Sequence, residues 1–313
     1  MKRFKKILNW TGILLLTLIA VLSVVVAARQ NLRFDAPYPN IKTTKDSVVI
    51  ARGKHLVYSI AHCADCHSTQ NIDSLLSLGI EPPLSGGYKF DLPIGTIYTR
   101  NITADTATGI GKLTDAELAR TLYYGVGSDG RAIFDFMPFH NISETDMQAI
   151  LSYLRTQKPV SNKVPANEIN VLGKIISAFL LKPTGPNGPI PKTITPDTSA
   201  AYGGYMVNYL GNCAGCHTKR DPMTGAYTGE HLAGGNEFDE KGFKYITPNI
   251  TTDSSGRLFA WTFENFKARF RLGKADKHSP MPWNSYKQMT DDELRAIYNY
   301  LKSVKPVKST INK

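Results

Sequence analysis

The first apolar block runs from Ile7 to Ala28 and is broken only by uncharged residues such as Asn9, Gly12, Thr17 and Ser23. A helix of about 20 such residues crosses a bilayer core. Lys2, Arg3, Lys5 and Lys6 precede the block and only Arg29 and Arg33 follow it closely, which predicts an N-terminus in the cytoplasm and the remaining chain across the membrane. A secretory signal core is shorter, about 7–15 residues. A retained anchor over 1–34 is therefore expected, although Val26-Ala27-Ala28 also has the form of a cleavage site. Past the anchor the pattern changes. Residues 46–62 and 198–212 carry apolar positions at helical spacing. Thr114-x-x-Glu117, Ser143-x-x-Asp146 and Thr290-x-x-Glu293 have the form of N-terminal caps. The last two open helices that end near Gln157 and Val304, ahead of Pro159 and Pro306. Ile169, Leu172, Ile175, Ile176, Phe179 and Leu180 form one further helical stripe inside a proline-punctuated connection. That stripe fits a helix packed between neighbours, or a face laid on a membrane or partner. Elsewhere glycine and proline are frequent and clean two-residue alternation is scarce. An all-α fold with long loops follows, and loops of that length need something to pack on. A large, flat, apolar cofactor would supply it.

The chain also repeats itself, a signal that decides the architecture. Cys63-Ala64-Asp65-Cys66-His67 recurs 150 residues later as Cys213-Ala214-Gly215-Cys216-His217. In the same order, Gly53 matches Gly203, Leu84-Ser85-Gly86-Gly87 matches Leu232-Ala233-Gly234-Gly235, and Thr99-Arg100-Asn101-Ile102-Thr103 matches Thr247-Pro248-Asn249-Ile250-Thr251. Met137-Pro138 matches Met281-Pro282, Tyr153-Leu154 matches Tyr300-Leu301, and Lys158-Pro159-Val160 matches Lys305-Pro306-Val307. All offsets lie between 144 and 150. The expected division is an anchor over 1–34, one domain over 35–160, a linker over 161–197 and a second domain over 198–313.

Composition narrows the classes. With 42% hydrophobic and 20% charged residues, the 313-residue chain is neither disordered nor polytopic. Its net charge of +11 is uneven: +6 over residues 1–34, −2 over 35–160 and +7 over 161–313. No basic stripe with interleaved aromatics emerges, so nucleic-acid binding is not expected. The second domain is expected to dock an acidic partner.

All four cysteines lie in the two CxxCH motifs. This motif is the attachment signature of c-type haem. Two thiols three positions apart on one helical turn reach two vinyl groups on one porphyrin edge, and the next histidine turns under the ring to bind iron. A redox disulfide would need a βαβ pattern that is missing, and a four-cysteine zinc site has no use for a histidine after each pair. Two covalently bound haem c groups are expected, on Cys63, Cys66 and His67, and on Cys213, Cys216 and His217.

An electron-carrying haem iron takes a second axial ligand, often a methionine. Only Met137 and Met281 occur in both repeats in equivalent context, 70 and 64 residues after their histidines. Met147, Met206, Met223 and Met289 have no matched counterpart, and core filling is the alternative for any methionine. His140 and His278 flank the two Met on opposite sides and are expected at the surface. His55, His62 and His231 are expected at the surface or as caps. Asn101 and Asn249, with Thr99 and Thr247, fit either hydrogen bonds to haem propionates or an axial ligand, or turn stabilisation. Gly53 and Gly203 are expected to admit the close approach of helices carrying Tyr153 and Tyr300.

The blocks GxxxVxxxxxCxxCH, GG, TxNIT, MP and YL, covering about residues 46–307, resemble the cytochrome c subunits of bacterial membrane-bound dehydrogenases, such as those for alcohols and gluconate. The resemblance implies two tandem class I cytochrome c domains with His67–Met137 and His217–Met281 ligation. It also implies a route for electrons from a partner dehydrogenase to quinone or a terminal oxidase. Those subunits commonly carry three haems and a C-terminal attachment, whereas here there are two motifs and an N-terminal anchor. The expected protein is a dihaem electron carrier with a single-pass anchor in the cytoplasmic (inner) membrane and its haem domains on the periplasmic side. Its partners would be a dehydrogenase or quinol donor and a downstream oxidase. A dihaem peroxidase with one open iron is the alternative, opposed by a methionine in both halves.

Overall fold

The computed structural model describes residues 2–222, 225–240 and 242–309. Met223 and the last four residues of the expected second domain lie outside that range. Helix α1 spans Lys2–Arg29, with no buried residue along its length. It is long and apolar enough to cross a membrane.

The rest is helix-rich, and the two halves share most elements in the same order; among the described residues, the helix Ile72–Ser77 has no counterpart in the second half and Trp283–Tyr286 none in the first. In the first half these are α2 (Ser47–Tyr58), α3 (Cys63–His67), α4 (Ile72–Ser77), α5 (Asp115–Tyr124) and α6 (Glu144–Thr156). Then α7 (Val171–Phe179) follows in the connection. The second half has α8 (Ala200–Tyr205), which runs on through a π-helical turn at Met206–Leu210. After it come α9 (Cys213–His217), α10 (Phe263–Arg271), α11 (Trp283–Tyr286) and α12 (Asp291–Ser303). Thr114, Ser143 and Thr290 cap α5, α6 and α12 as the sequence predicts, each accepting a backbone N–H from the third helical residue. Thr114 and Thr290 complete capping boxes with Glu117 and Glu293.

The glycine before each CxxCH sets the helix pairing. A Cβ at Gly53 would stand 1.9 Å from the Ala149 carbonyl oxygen, and one at Gly203 would stand 1.9 Å from that of Ala296. So α2 lies directly on α6, and α8 lies on α12, in a contact only glycine admits. One hydrophobic core runs through both halves, from Leu56, Leu151 and Met147 to Met206, Leu210 and Leu294.

The expectation of an all-α fold is corrected. Strands β1 (Lys89–Leu92) and β2 (Gly95–Tyr98) form an antiparallel hairpin, with Phe90 opposite Ile97, and β3 (Glu168–Ile169) pairs with β2. The second half repeats the hairpin as β4 (Glu237–Glu240) and β5 (Phe243–Ile246), with Phe238 opposite Tyr245. Four residues are too few to display a periodic pattern, and the first hairpin depends on Gly95 at a φ of +123°.

Candidate functional site

Each CxxCH forms a single helical turn, α3 or α9, entered through a left-handed residue: His62 at a φ of 38° and Asn212 at 46°. That sharp entry turns both cysteines and the histidine of each motif toward a shared interior. The four thiols are unpaired. Burial pushes Cys63, Cys66 and Cys213 up to about 12, so they are neutral thiols. Among the described residues, no three His, Cys, Asp or Glu side chains are gathered to hold a metal ion, so the thiols do not form a tetrathiolate zinc site.

The histidines are oriented by backbone. His67 Nδ1 lies 2.8 Å from the Arg100 carbonyl oxygen, and His217 Nδ1 lies 2.9 Å from that of Pro248. A carbonyl only accepts, so Nδ1 carries the proton and Nε2 presents a lone pair. Burial lowers both imidazoles below their ordinary value against the raising effect of those carbonyls, which keeps them neutral. Neutral imidazole with a fixed tautomer is the form that binds iron.

The paired-glycine and TxNIT blocks explain how the carbonyls arrive. Gly86 N–H donates to the His67 carbonyl at 2.7 Å, and Gly234 N–H to that of His217 at 2.6 Å. A Cβ at Gly86 would fall 2.4 Å from the Arg100 carbonyl carbon, and one at Gly234 would fall 2.3 Å from the Thr247 carbonyl oxygen. Both glycines have positive φ, at 70° and 76°. The asparagines then pin the loop from behind. Asn101 Nδ2 donates to Val160 O at 2.8 Å, and Asn249 Nδ2 to Val307 O at 2.7 Å. Their Oδ1 atoms accept from the Thr103 and Thr251 backbone N–H groups. Asn101 and Asn249 are buried and committed to this turn. These hydrogen bonds support the expected role in turn stabilisation. The lys-pro-val repeat, to which the sequence alone assigns no chemistry, is the strut they grip.

Met137 and Met281 sit in equivalent turns, each carbonyl accepting from the residue two further on (Phe139 N, Trp283 N) at 2.8 Å. Both face the same interior as the cysteines and histidines, a continuous cavity of about 1520 Å³. Its wall includes all eight predicted site residues: Cys63, Cys66, His67 and Met137, and Cys213, Cys216, His217 and Met281. Ile102, Leu118, Leu151 and Leu154 line the first part, and Ile250, Leu258, Phe266 and Ile297 the second. By contrast Met147, Met206 and Met289 are buried core.

His140 and His62 depart from the expected surface positions, whereas His231 is exposed as expected. His140 is buried, not at the surface: Nδ1 meets Tyr123 O at 2.8 Å and Nε2 meets Asp135 at 3.0 Å. These two contacts satisfy both of its nitrogens. His62 lines the cavity, and its Nδ1 is buried without a hydrogen-bond partner. His55 faces the other half, and His278 stacks on Phe243 with ring centres 3.6 Å apart.

Two thiols, an imidazole Nε2 and a thioether against apolar walls, present twice, fit the attachment and axial ligation of haem c. Residues 205–305 match the family model for cytochrome c. These residues are a cytochrome c domain. Such a domain implies covalently bound haem c. The chain is 30% identical over 291 residues to the cytochrome c subunit of the quinone alcohol dehydrogenase of Gluconacetobacter polyoxogenes, covering 84% of this chain and 57% of that one. It is 26% identical over 298 residues to the fructose dehydrogenase cytochrome subunit of Gluconobacter japonicus, covering 91% and 58%. It is 26% identical over 265 residues to a diheme cytochrome c-type protein of Cereibacter sphaeroides, covering 81% and 85%. The chain thus spans a little more than half the length of the dehydrogenase subunits it matches.

Proposed function

We propose that the chain is a membrane-anchored dihaem cytochrome c that moves electrons between a dehydrogenase or quinol donor and a downstream acceptor or oxidase. Its two tandem cytochrome c domains, over 35–160 and 198–313, stand on the periplasmic side of the cytoplasmic membrane, held by α1. The observation that carries this reading is the duplication of one complete donor set on one cavity wall. The relatives support it: cytochrome subunits of dehydrogenases and a diheme cytochrome.

When bound, each haem c supplies a one-electron Fe(III)/Fe(II) couple. The chain sets the terms of that couple. Cys63 and Cys66, and Cys213 and Cys216, form the thioether tethers. His67 and His217 bind through Nε2, and the carbonyls on Nδ1 raise their basicity. The Met137 and Met281 sulfurs favour the reduced iron and raise the potential. Apolar side chains around each site exclude water. No proton-transfer group is required, and both donor sets open onto one continuous cavity.

The test is coordination-specific. The intact mass shows two attached porphyrins, and oxidised protein shows two methionine-to-iron bands. Met137→Leu and Met281→Leu each remove one band, lower one potential and open one iron to carbon monoxide. Fewer than two porphyrins, or a wild-type iron that binds cyanide readily and turns over peroxide, overturns the reading in favour of a haem enzyme.

A further inference from the structure

The connection between the halves carries a helix with its polarity inverted. On α7, Gly173 and Ala178 are buried against the protein, and a Cβ at Gly173 would fall 2.3 Å from the Ile94 carbonyl oxygen. Ser177, half-buried, and Lys174, exposed, border the cavity. The opposite side holds Val171, Leu172, Ile175 and Phe179, which are 74, 43, 36 and 42% exposed. At 100° per residue these four fall within an arc of about 100°. A surface helix places its apolar stripe toward the core. Here the stripe points away, and among the described residues nothing buries it.

The neighbour of α7 identifies what does. The C-terminal end of α1 packs on α7. Arg29 Nε donates to Ala178 O at 3.1 Å, and its guanidinium stands 5.7 Å from the Phe179 ring centre. The stripe therefore begins where the apolar helix ends, at the depth where hydrocarbon gives way to headgroups. Arg29, Arg33 and Lys182 are exposed around that end, as suits the phosphate level of a bilayer.

We propose that α7 lies in the interface of the bilayer that α1 crosses, with Val171, Leu172, Ile175 and Phe179 against acyl chains. The first half then has two attachments, and its site faces the membrane surface. This rests on the reading of α1 as an anchor, so the experiment reports the two separately. The full haem-loaded chain is reconstituted in nanodiscs of anionic phospholipid containing a lipid with a diazirine in its acyl chain. After photolysis, adducts are mapped by peptide mass spectrometry. Adducts are expected in α1 and in residues 171–180, with none in α2. Ile175→Glu combined with Phe179→Glu is expected to lose the 171–180 adducts, keep those in α1 and leave the haem spectrum unchanged. Adducts in α1 but none in 171–180 overturn the proposal, leave the anchor intact and assign the stripe to a protein partner. Adducts in neither segment overturn the anchor reading and this proposal with it.

Discussion

The two halves agree where backbone does the work and differ where side chains meet across their junction. In both, a glycine N–H holds the carbonyl of the ligand histidine, and a loop carbonyl holds its Nδ1. The residue supplying that carbonyl is Arg100 in one half and Pro248 in the other. A carbonyl contact places no demand on the side chain. At the junction the equivalent positions diverge: Arg52 answers Tyr202, His55 answers Tyr205, and Asp146 answers Glu293. Arg52 reaches Asp146 and Glu293, both at 3.1 Å, and the Tyr202 hydroxyl at 2.9 Å. His55 contacts Glu293 across the junction at 2.7 Å, and Tyr205 contacts Asp146 across it at 2.8 Å. Duplication supplied two copies of one frame. Joining them required the copies to become complementary instead of identical.

The sharpest way to break the junction is Arg52→Ala. Asp146 and Glu293 are nearly fully buried and share that guanidinium. Its removal leaves two carboxylates facing one cation fewer, at a cost of about 3 kcal/mol, since breaking a buried pair leaves an uncompensated charge. Thermal unfolding is expected to split, the two halves melting apart, with both haem spectra retained. Acid has a related effect. Burial raises the Glu293 carboxyl, but hydrogen bonds from His55 and the Thr290 backbone, with the nearby Arg52 charge, outweigh it and hold the group below its ordinary 4.5. A depressed carboxyl stabilises the fold above its ordinary value, and that contribution is lost as pH falls through the folded one. Stability is thus expected to drop below about pH 4.5, and less steeply in Glu293→Gln. An unchanged acid profile in the variant refutes this assignment.

A weaker effect tests the shared frame. Gly53→Ala and Gly203→Ala each force a methyl into a helix-crossing carbonyl, and overpacking of this kind costs about 1–3 kcal/mol. Equal losses in Tm are expected. A loss in one variant alone means the helix pairs are not equivalent. The charge difference gives a smaller, kinetic contrast. The second half is basic and the first mildly acidic, so reduction of an anionic iron complex is expected to slow by about tenfold between low and high salt. Flat rates remove any steering role for that charge.

What the sequence displayed depended on which atoms carry each contact. CxxCH, the matched methionines, the caps and the crossing glycines are side-chain requirements, and all were legible in the repeat. The strands were not, because four residues carry no period. The role of TxNIT was half-visible: the repeat marked Asn101 and Asn249, but the atom that orients each histidine is a carbonyl one residue earlier. The junction was invisible to repeat matching because its residues are those that differ. His140, buried between Tyr123 and Asp135, was missed because a single histidine at an unmatched position carries no signal of its two partners.

The smallest effect is the most specific to the asymmetry. Tyr205 and His55 occupy equivalent positions, yet the junction needs a donor to Asp146 at one and a partner for Glu293 at the other. The Tyr205 hydroxyl donates to Asp146 at 2.8 Å and accepts the Ser143 backbone N–H at 2.9 Å, which binds α8 to the first turn of α6. Tyr205→Phe keeps the ring and its packing but leaves a backbone donor and a carboxylate oxygen each short of one partner. The expected loss is about 1 kcal/mol, the net worth of a typical hydrogen bond raised by a charged acceptor and limited by what remains on Asp146. Arg52 still holds that carboxylate, so in the Arg52→Ala background the same change is expected to cost more. A double-mutant cycle that shows simple additivity would mean the tyrosine and the arginine stabilise the junction independently, and that the two carboxylates do not act as one network.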